Sequence, residues 1–153
     1  MNKILVATDG SPSASQAVDF GLELAEEQGA QLVFVHVAPR FEVLPLPITG
    51  IGSAPVKVAR ETDEHDMEPL REAVRLAEER ALTSESRLLV GDPAKKIVEL
   101  ADSMGADLIV VGSHGHGAVS GALLGSVSRG VLHRARRPVL IVREVRQSVE
   151  AVA

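Results

Sequence analysis

Five short runs of mostly apolar residues recur along the 153-residue chain: Lys3–Thr8, Leu32–Val37, Ser86–Val90, Asp107–Val111 and Pro138–Arg143. Their apolar residues are consecutive rather than alternating, as strands buried on both faces require. Segments with helical spacing lie between them. Ala14, Ala17, Val18, Gly21, Leu22 and Ala25 form one stripe, and Ile97, Leu100, Ala101 and Met104 form another. Strand and helix therefore alternate, a pattern satisfied by a parallel sheet with helices on both faces. The expectation is an α/β domain, a single doubly wound five-stranded parallel sheet in the order 3-2-1-4-5. Such a sheet binds its ligand beyond the carboxyl ends of its strands, where the order reverses. That point lies between the first and fourth strands, at the loops Asp9–Ser11 and Gly112–Ser126.

The punctuation agrees. Ser11-Pro12 and Asp92-Pro93 each pair a capping side chain with a proline suited to the first helical position, and Gly29 and Gly105 suit helix ends. A charged helix is expected over roughly Glu61–Leu82, kinked or broken at Pro69. Residues Ala38–Val58 carry Pro39, Pro45, Pro47, Gly50, Gly52 and Pro55 and read as a long loop. A short last helix follows over Val127–Ala135, and Gln147–Ala153 reads as a frayed tail, so the domain spans 1–146.

Composition removes several functions. Cysteine is absent, which excludes disulfides, thiolate metal sites and a cysteine nucleophile. Aromatic residues make up 2% of the chain, and the net charge is −5. Stacking platforms for single-stranded nucleic acid and a general pull toward DNA or anionic lipid are both disfavoured. The first apolar run is too short for a signal peptide and no run reaches membrane-spanning length, so the expected setting is cytoplasmic.

The loop from Gly112 to Ser126 follows an apolar strand and precedes a helix. Glycines let backbone approach a ligand, and a helix N-terminus offers amides to an anion. Two familiar phosphate loops do not fit. A P-loop needs a lysine beside its last glycine, and no lysine follows residue 96. A Rossmann fingerprint follows the first strand, whereas Gly115-His116-Gly117 follows the fourth and has Ser120 where glycine or alanine belongs.

Gly112-x-x-Gly115, then nine residues, then Gly125-Ser126, resembles the nucleotide-binding pattern of the ATP-binding universal stress proteins. The resemblance extends to Ile4–Asp9, Leu32–Val37, Gly91–Ala94, Ala106–Gly115 and Arg137–Val142. It implies ATP, AMP or ADP as ligand, with magnesium, if bound, held through the phosphates. It implies that Asp9 meets the ribose hydroxyls, and that Val37, with Ala7 and Thr8 nearby, meets the adenine. Gly112 and Gly115 would let the loop approach the phosphates, across Ser113 and His114. Gly125, Ser126 and Val127 would form the helix start that receives them, and Ser128 would add a hydroxyl one turn in. No catalytic residue and no metal ligand is assigned.

Other features have plainer readings. His114 and His116 have no carboxylate beside them in sequence, so phosphate contact is favoured over a metal or a catalytic role. The six arginines from Arg129 to Arg146 read as cations complementing the last helix's C-terminus and as solvated strand ends. The strand Val139–Val142 would be an apolar sheet edge, and pairing with a second copy would cover it in a homodimer. The resemblance implies the same dimer. The function expected is a small regulatory protein that binds adenine nucleotide. A weak ATPase or self-phosphorylating protein, and an interaction module that needs no nucleotide, are the competing readings.

Overall fold

The computed structural model describes residues 1–116 and 123–144. The chain runs β1 (Lys3–Ala7), α1 (Pro12–Gln28), β2 (Gln31–Ala38), β3 (Phe41–Ile48), β4 (Gly52–Ala59), α2 (Glu64–Glu79), β5 (Ser84–Val90), α3 (Pro93–Met104), β6 (Leu108–Gly112), α4 (Ser126–Arg134) and β7 (Val139–Val142). The main sheet has five strands in the order β5-β2-β1-β6-β7, and every pair in it is parallel. Numbered among themselves, these strands stand in the expected order 3-2-1-4-5. The expected tail, Gln147–Ala153, and the loop residues 117–122 lie outside the described residues.

Neighbouring residues on each central strand point to opposite faces, and both faces are covered. Ile4, Val6, Leu32, Phe34, Leu108 and Val110 pack under α1 and α2, with Leu22 and Leu70. Leu5, Val33, Val35, Ile109 and Val111 pack under α3 and α4, with Ile97 and Val131. This double burial is why the strands read as continuous apolar runs. The helix signals also act as expected. Ser11 and Asp92 cap α1 and α3 with their side chains, and Gly29 and Gly105 close those helices in the left-handed conformation.

Two expectations are corrected. The stretch Ala38–Val58 is not a loop: β2 runs to Ala38, and β3 and β4 form an antiparallel hairpin in full register, Phe41 opposite Ala59 through Ile48 opposite Gly52. Pro45 faces Pro55, and Pro47 lies two residues on. All three prolines thus fall on alternate positions, those whose N–H groups an antiparallel pair leaves outside the ladder. Gly50 and Gly52, both at positive φ (85° and 100°), make the turn. The second correction concerns α2, which runs unbroken through Pro69. The carbonyl that Pro69 leaves without a donor belongs to His65, an exposed residue whose carbonyl can turn to water.

The hairpin's two strands pack chiefly on one another. One face carries Leu44, Leu46, Ile48, Ala54, Val56 and Val58, and Leu46 is 44% exposed. At its base, Arg60 donates from its backbone to the Arg40 carbonyl and from its guanidinium to the buried Asp66 carboxylate at 2.6 Å, which ties the hairpin to α2.

Stability should therefore be divided unevenly between sheet and hairpin. Leu22, fully buried between α1 and the sheet, is expected to cost about 2–5 kcal/mol when changed to Ala. Leu46→Ser in the hairpin is expected to cost less than about 0.5–1 kcal/mol. Urea unfolding of both variants measures the contrast, and equal losses would contradict a hairpin that carries little of the fold.

Candidate functional site

The order of the sheet reverses between β1 and β6, and the loops that leave these two strands meet there. Asp9 follows β1. Its carboxylate accepts the Ser11 N–H at 2.9 Å through Oδ1 and the His116 N–H at 3.1 Å through Oδ2. The His116 ring returns the contact, donating from Nε2 to the Asp9 carbonyl at 2.9 Å. Burial alone would raise the Asp9 carboxyl, but the hydrogen bonds from Ser11 and His116 outweigh it and hold the group below the ordinary value of 3.8. Asp9 is thus an anion pinned to both loops.

The second loop is knitted through Ser113. Its N–H donates to the Val142 carbonyl at 2.8 Å, and its own carbonyl accepts from the Gly125 N–H at 2.6 Å and the Ser128 hydroxyl at 3.0 Å. Its hydroxyl lies 3.0 Å from His114 Nδ1 and 3.3 Å from the Ser13 hydroxyl. The two described ends of the loop are therefore closed on each other, with α4 starting directly after the junction.

The glycines have a reason inside the protein. A Cβ on Gly112 would lie 2.7 Å from the Ser13 backbone in α1. On Gly115 it would lie 2.6 Å from Asp9 Oδ2, and on Gly125 it would press on His114 and on the Ser113 carbonyl at 3.3 Å. Each keeps one strand of the loop close to another. Gly112 in particular turns its bare side to α1, and the Gly125 N–H is already committed to Ser113. The Ser128 side chain is buried, and its hydroxyl donates to the Ser113 and Gly125 carbonyls.

A cavity of about 590 Å³ opens beside this junction. All of the sequence-selected residues line it except Ser113, which is buried beneath. Its apolar end is formed by Ala7, Val35, Val37, Pro39, Pro93 and Ile97. Pairing of β1 with β2 stops at Ala7 and Val35, while β2 continues against β5 to Ala38, so the edge of Val37 toward β1 is left unpaired. At the other end, the amides of Gly115, Ser126, Val127 and Ser128 have no acceptor among the described residues, and the N-cap Gly125 supplies no side-chain cap. A neighbouring cavity of about 730 Å³ shares Thr8, Asp9, His36 and His116, but Asp19, Asp66, Glu68 and Glu72 also line it and would repel an anion.

Sequence reading did not select Pro39, Pro93 and Ile97, which line the cavity from elements distant in sequence, nor Leu124 and Arg129, which flank the selected Gly125–Ser128. Arg129 also departs from the reading of the late arginines. His133 and Arg134 do occupy the last turn of α4, but Arg129 sits near its first turn.

An open parallel sheet with a cavity at its switch point and a tight glycine loop beside it defines a doubly wound α/β protein. Within that class the chain belongs to the universal stress protein family, whose model matches residues 1–143. It is 37% identical over 146 residues to a universal stress protein of Bacillus subtilis, covering 93% of this chain and 99% of that one. A universal stress protein solved in complex with cAMP matches with a TM-score of 0.68 and 32% identity, over 94% of this chain and 98% of that one. The Archaeoglobus fulgidus protein solved in complex with dAMP matches with a TM-score of 0.62 and 27% identity, over 93% and 98%.

The pinned Asp9 carboxylate makes a prediction about pH. Its folded value is depressed, so its contribution to stability is present above the unfolded value and is lost as pH falls through the folded one. Asp9→Asn should melt below wild type at pH 7, and the gap should close as pH drops below about 4. Melting curves from pH 7 to pH 2.5 test this, and a gap that does not change with pH contradicts it.

Proposed function

We propose that this chain binds an adenine nucleotide in the cavity between Asp9 and the start of α4 and acts as a small regulatory protein of the cytoplasm. One observation carries the reading: the cavity has an apolar end, a fixed carboxylate and, at a helix start, a cluster of amides with no acceptor among the described residues. Adenine, ribose and phosphate need those three environments in that order. The family relatives solved with cAMP and dAMP support the same class of ligand.

In this reading the adenine lies against Val37, Ala7 and Thr8. The lone pairs that Asp9 does not give to Ser11 and His116 accept the ribose hydroxyls. The amides of Gly115, Ser126, Val127 and Ser128 face the phosphates, with His114 beside them. ATP, ADP and AMP all fit this description, and magnesium would sit on phosphate oxygens. Ser128 contributes its amide, because its hydroxyl is engaged inside the protein. Asp9 is the one carboxylate among the described lining residues, and it is held ionised by hydrogen bonds, an arrangement suited to orienting a ligand more than to moving protons. Binding that signals a state therefore fits better than dedicated hydrolysis.

Denaturing the purified protein and chromatographing what is released tests occupancy, with adenine nucleotide near one per chain as the expected result. Protein that is empty and also fails to take up added ATP or AMP would sink the proposal. Gly115→Val and Gly125→Val should each abolish nucleotide binding while circular dichroism shows the sheet intact. The reason is displacement of Asp9 in the first and of the Ser113–His114 backbone in the second.

We also propose that two copies pair through β7. Its four residues are only half-buried in a single chain, and its edge away from β6 is unpaired among the described residues. Light scattering at micromolar concentration should give a dimer, and Leu140→Lys should weaken it. A wild-type monomer contradicts the pairing.

A further inference from the structure

We propose that Arg129 makes this site read the number of phosphates on its nucleotide, favouring ATP over AMP. The inference rests on the nucleotide reading above and adds to it a residue outside the glycine motif. Arg129 is the only lysine or arginine among the described residues lining the cavity. Its position is electrostatically unusual. A cation beside a helix N-terminus adds to the positive end of the helix dipole, where an anion is favoured. The first turn of α4 holds no acidic residue, and its N-cap makes no side-chain cap. Among the described residues Arg129 has no carboxylate partner. Its guanidinium is exposed and, among the described residues, donates to the Leu124 carbonyl at 3.4 Å. Positive charge is thus gathered at the start of α4, with no carboxylate of the described residues paired to the guanidinium.

The order of contacts says which part of a ligand that charge would meet. Asp9 touches the Gly115 region, Gly115 and His114 lie against Gly125, and the Arg129 side chain reaches back past Gly125 to Leu124. A nucleotide with its ribose on Asp9 meets the loop amides first and the guanidinium last. The first phosphate is served by amides, and the outer phosphates fall to Arg129. A guanidinium binds phosphate oxygens through two parallel N–H groups, which a lysine cannot copy.

Calorimetric titration of wild type, Arg129→Ala and Arg129→Lys with adenosine, AMP, ADP and ATP tests this. Wild type should bind ATP more tightly than AMP. Arg129→Ala should reduce that preference about ten- to a hundredfold, the range for one charge-assisted hydrogen-bonded pair, with AMP affinity held within about twofold. Arg129→Lys should recover part of it, and all three proteins should melt alike because the side chain is exposed. Equal loss of AMP and ATP in Arg129→Ala, or loss of neither, overturns the inference while leaving the nucleotide site standing. A wild type that binds AMP and ATP equally does the same. A wild type that binds none of the four overturns both.

Discussion

The Ser113 peptide is the junction on which the site depends. Its N–H fixes it to the end of β7, and its carbonyl takes the Gly125 N–H and the Ser128 hydroxyl. Through these bonds the end of β6, the N-cap of α4 and the edge strand share one peptide. The main chain of α4 begins where Ser113 holds it, so the amides of its first turn are aimed by the sheet itself. Ser128 is spent on this junction, a structural use of a residue whose type also suits a ligand.

A second tie closes the other side. His116 holds Asp9 from above, by its N–H to the carboxylate and by its ring to the carbonyl, while Ser11 holds it from below. Asp9 therefore keeps its charge through hydrogen bonds from the Ser11 side chain and from the Ser11 and His116 amides, with the His116 ring adding to the effect. Arg129 is then the only lysine or arginine among the described residues that line the cavity.

Much of this was legible in the residues. Continuous apolar runs with capped helices between them are enough for a doubly covered parallel sheet, and the switch point then follows from strand order. Ser11, Asp92, Gly29 and Gly105 announced helix ends because capping is local chemistry. The hairpin is hidden because proline ordinarily breaks a strand. The telling signal was its spacing, with Pro45 and Pro47 two apart and Pro55 opposite. Pro69 misled for the opposite reason, since one missing N–H beneath an exposed residue does not stop a helix. At the site, Asp9 and the glycine loop stood out by type and spacing. Pro39 and Ile97 did not, because their place in the cavity is set by how distant elements pack, and Arg129 lies among late arginines of which only the structure puts one near the first turn of α4.

The clearances at Gly112, Gly115 and Gly125 change what the motif can be taken to mean. Each bare Cα is demanded by a neighbour within the same chain: an α1 peptide, the Asp9 carboxylate, the His114 main chain. At Gly112 the neighbour is helix backbone, so a side chain there would clash whatever the cavity holds. Gly112 therefore marks the shape of the loop, while Asp9 and Arg129 are the charged side chains that line the cavity beside it.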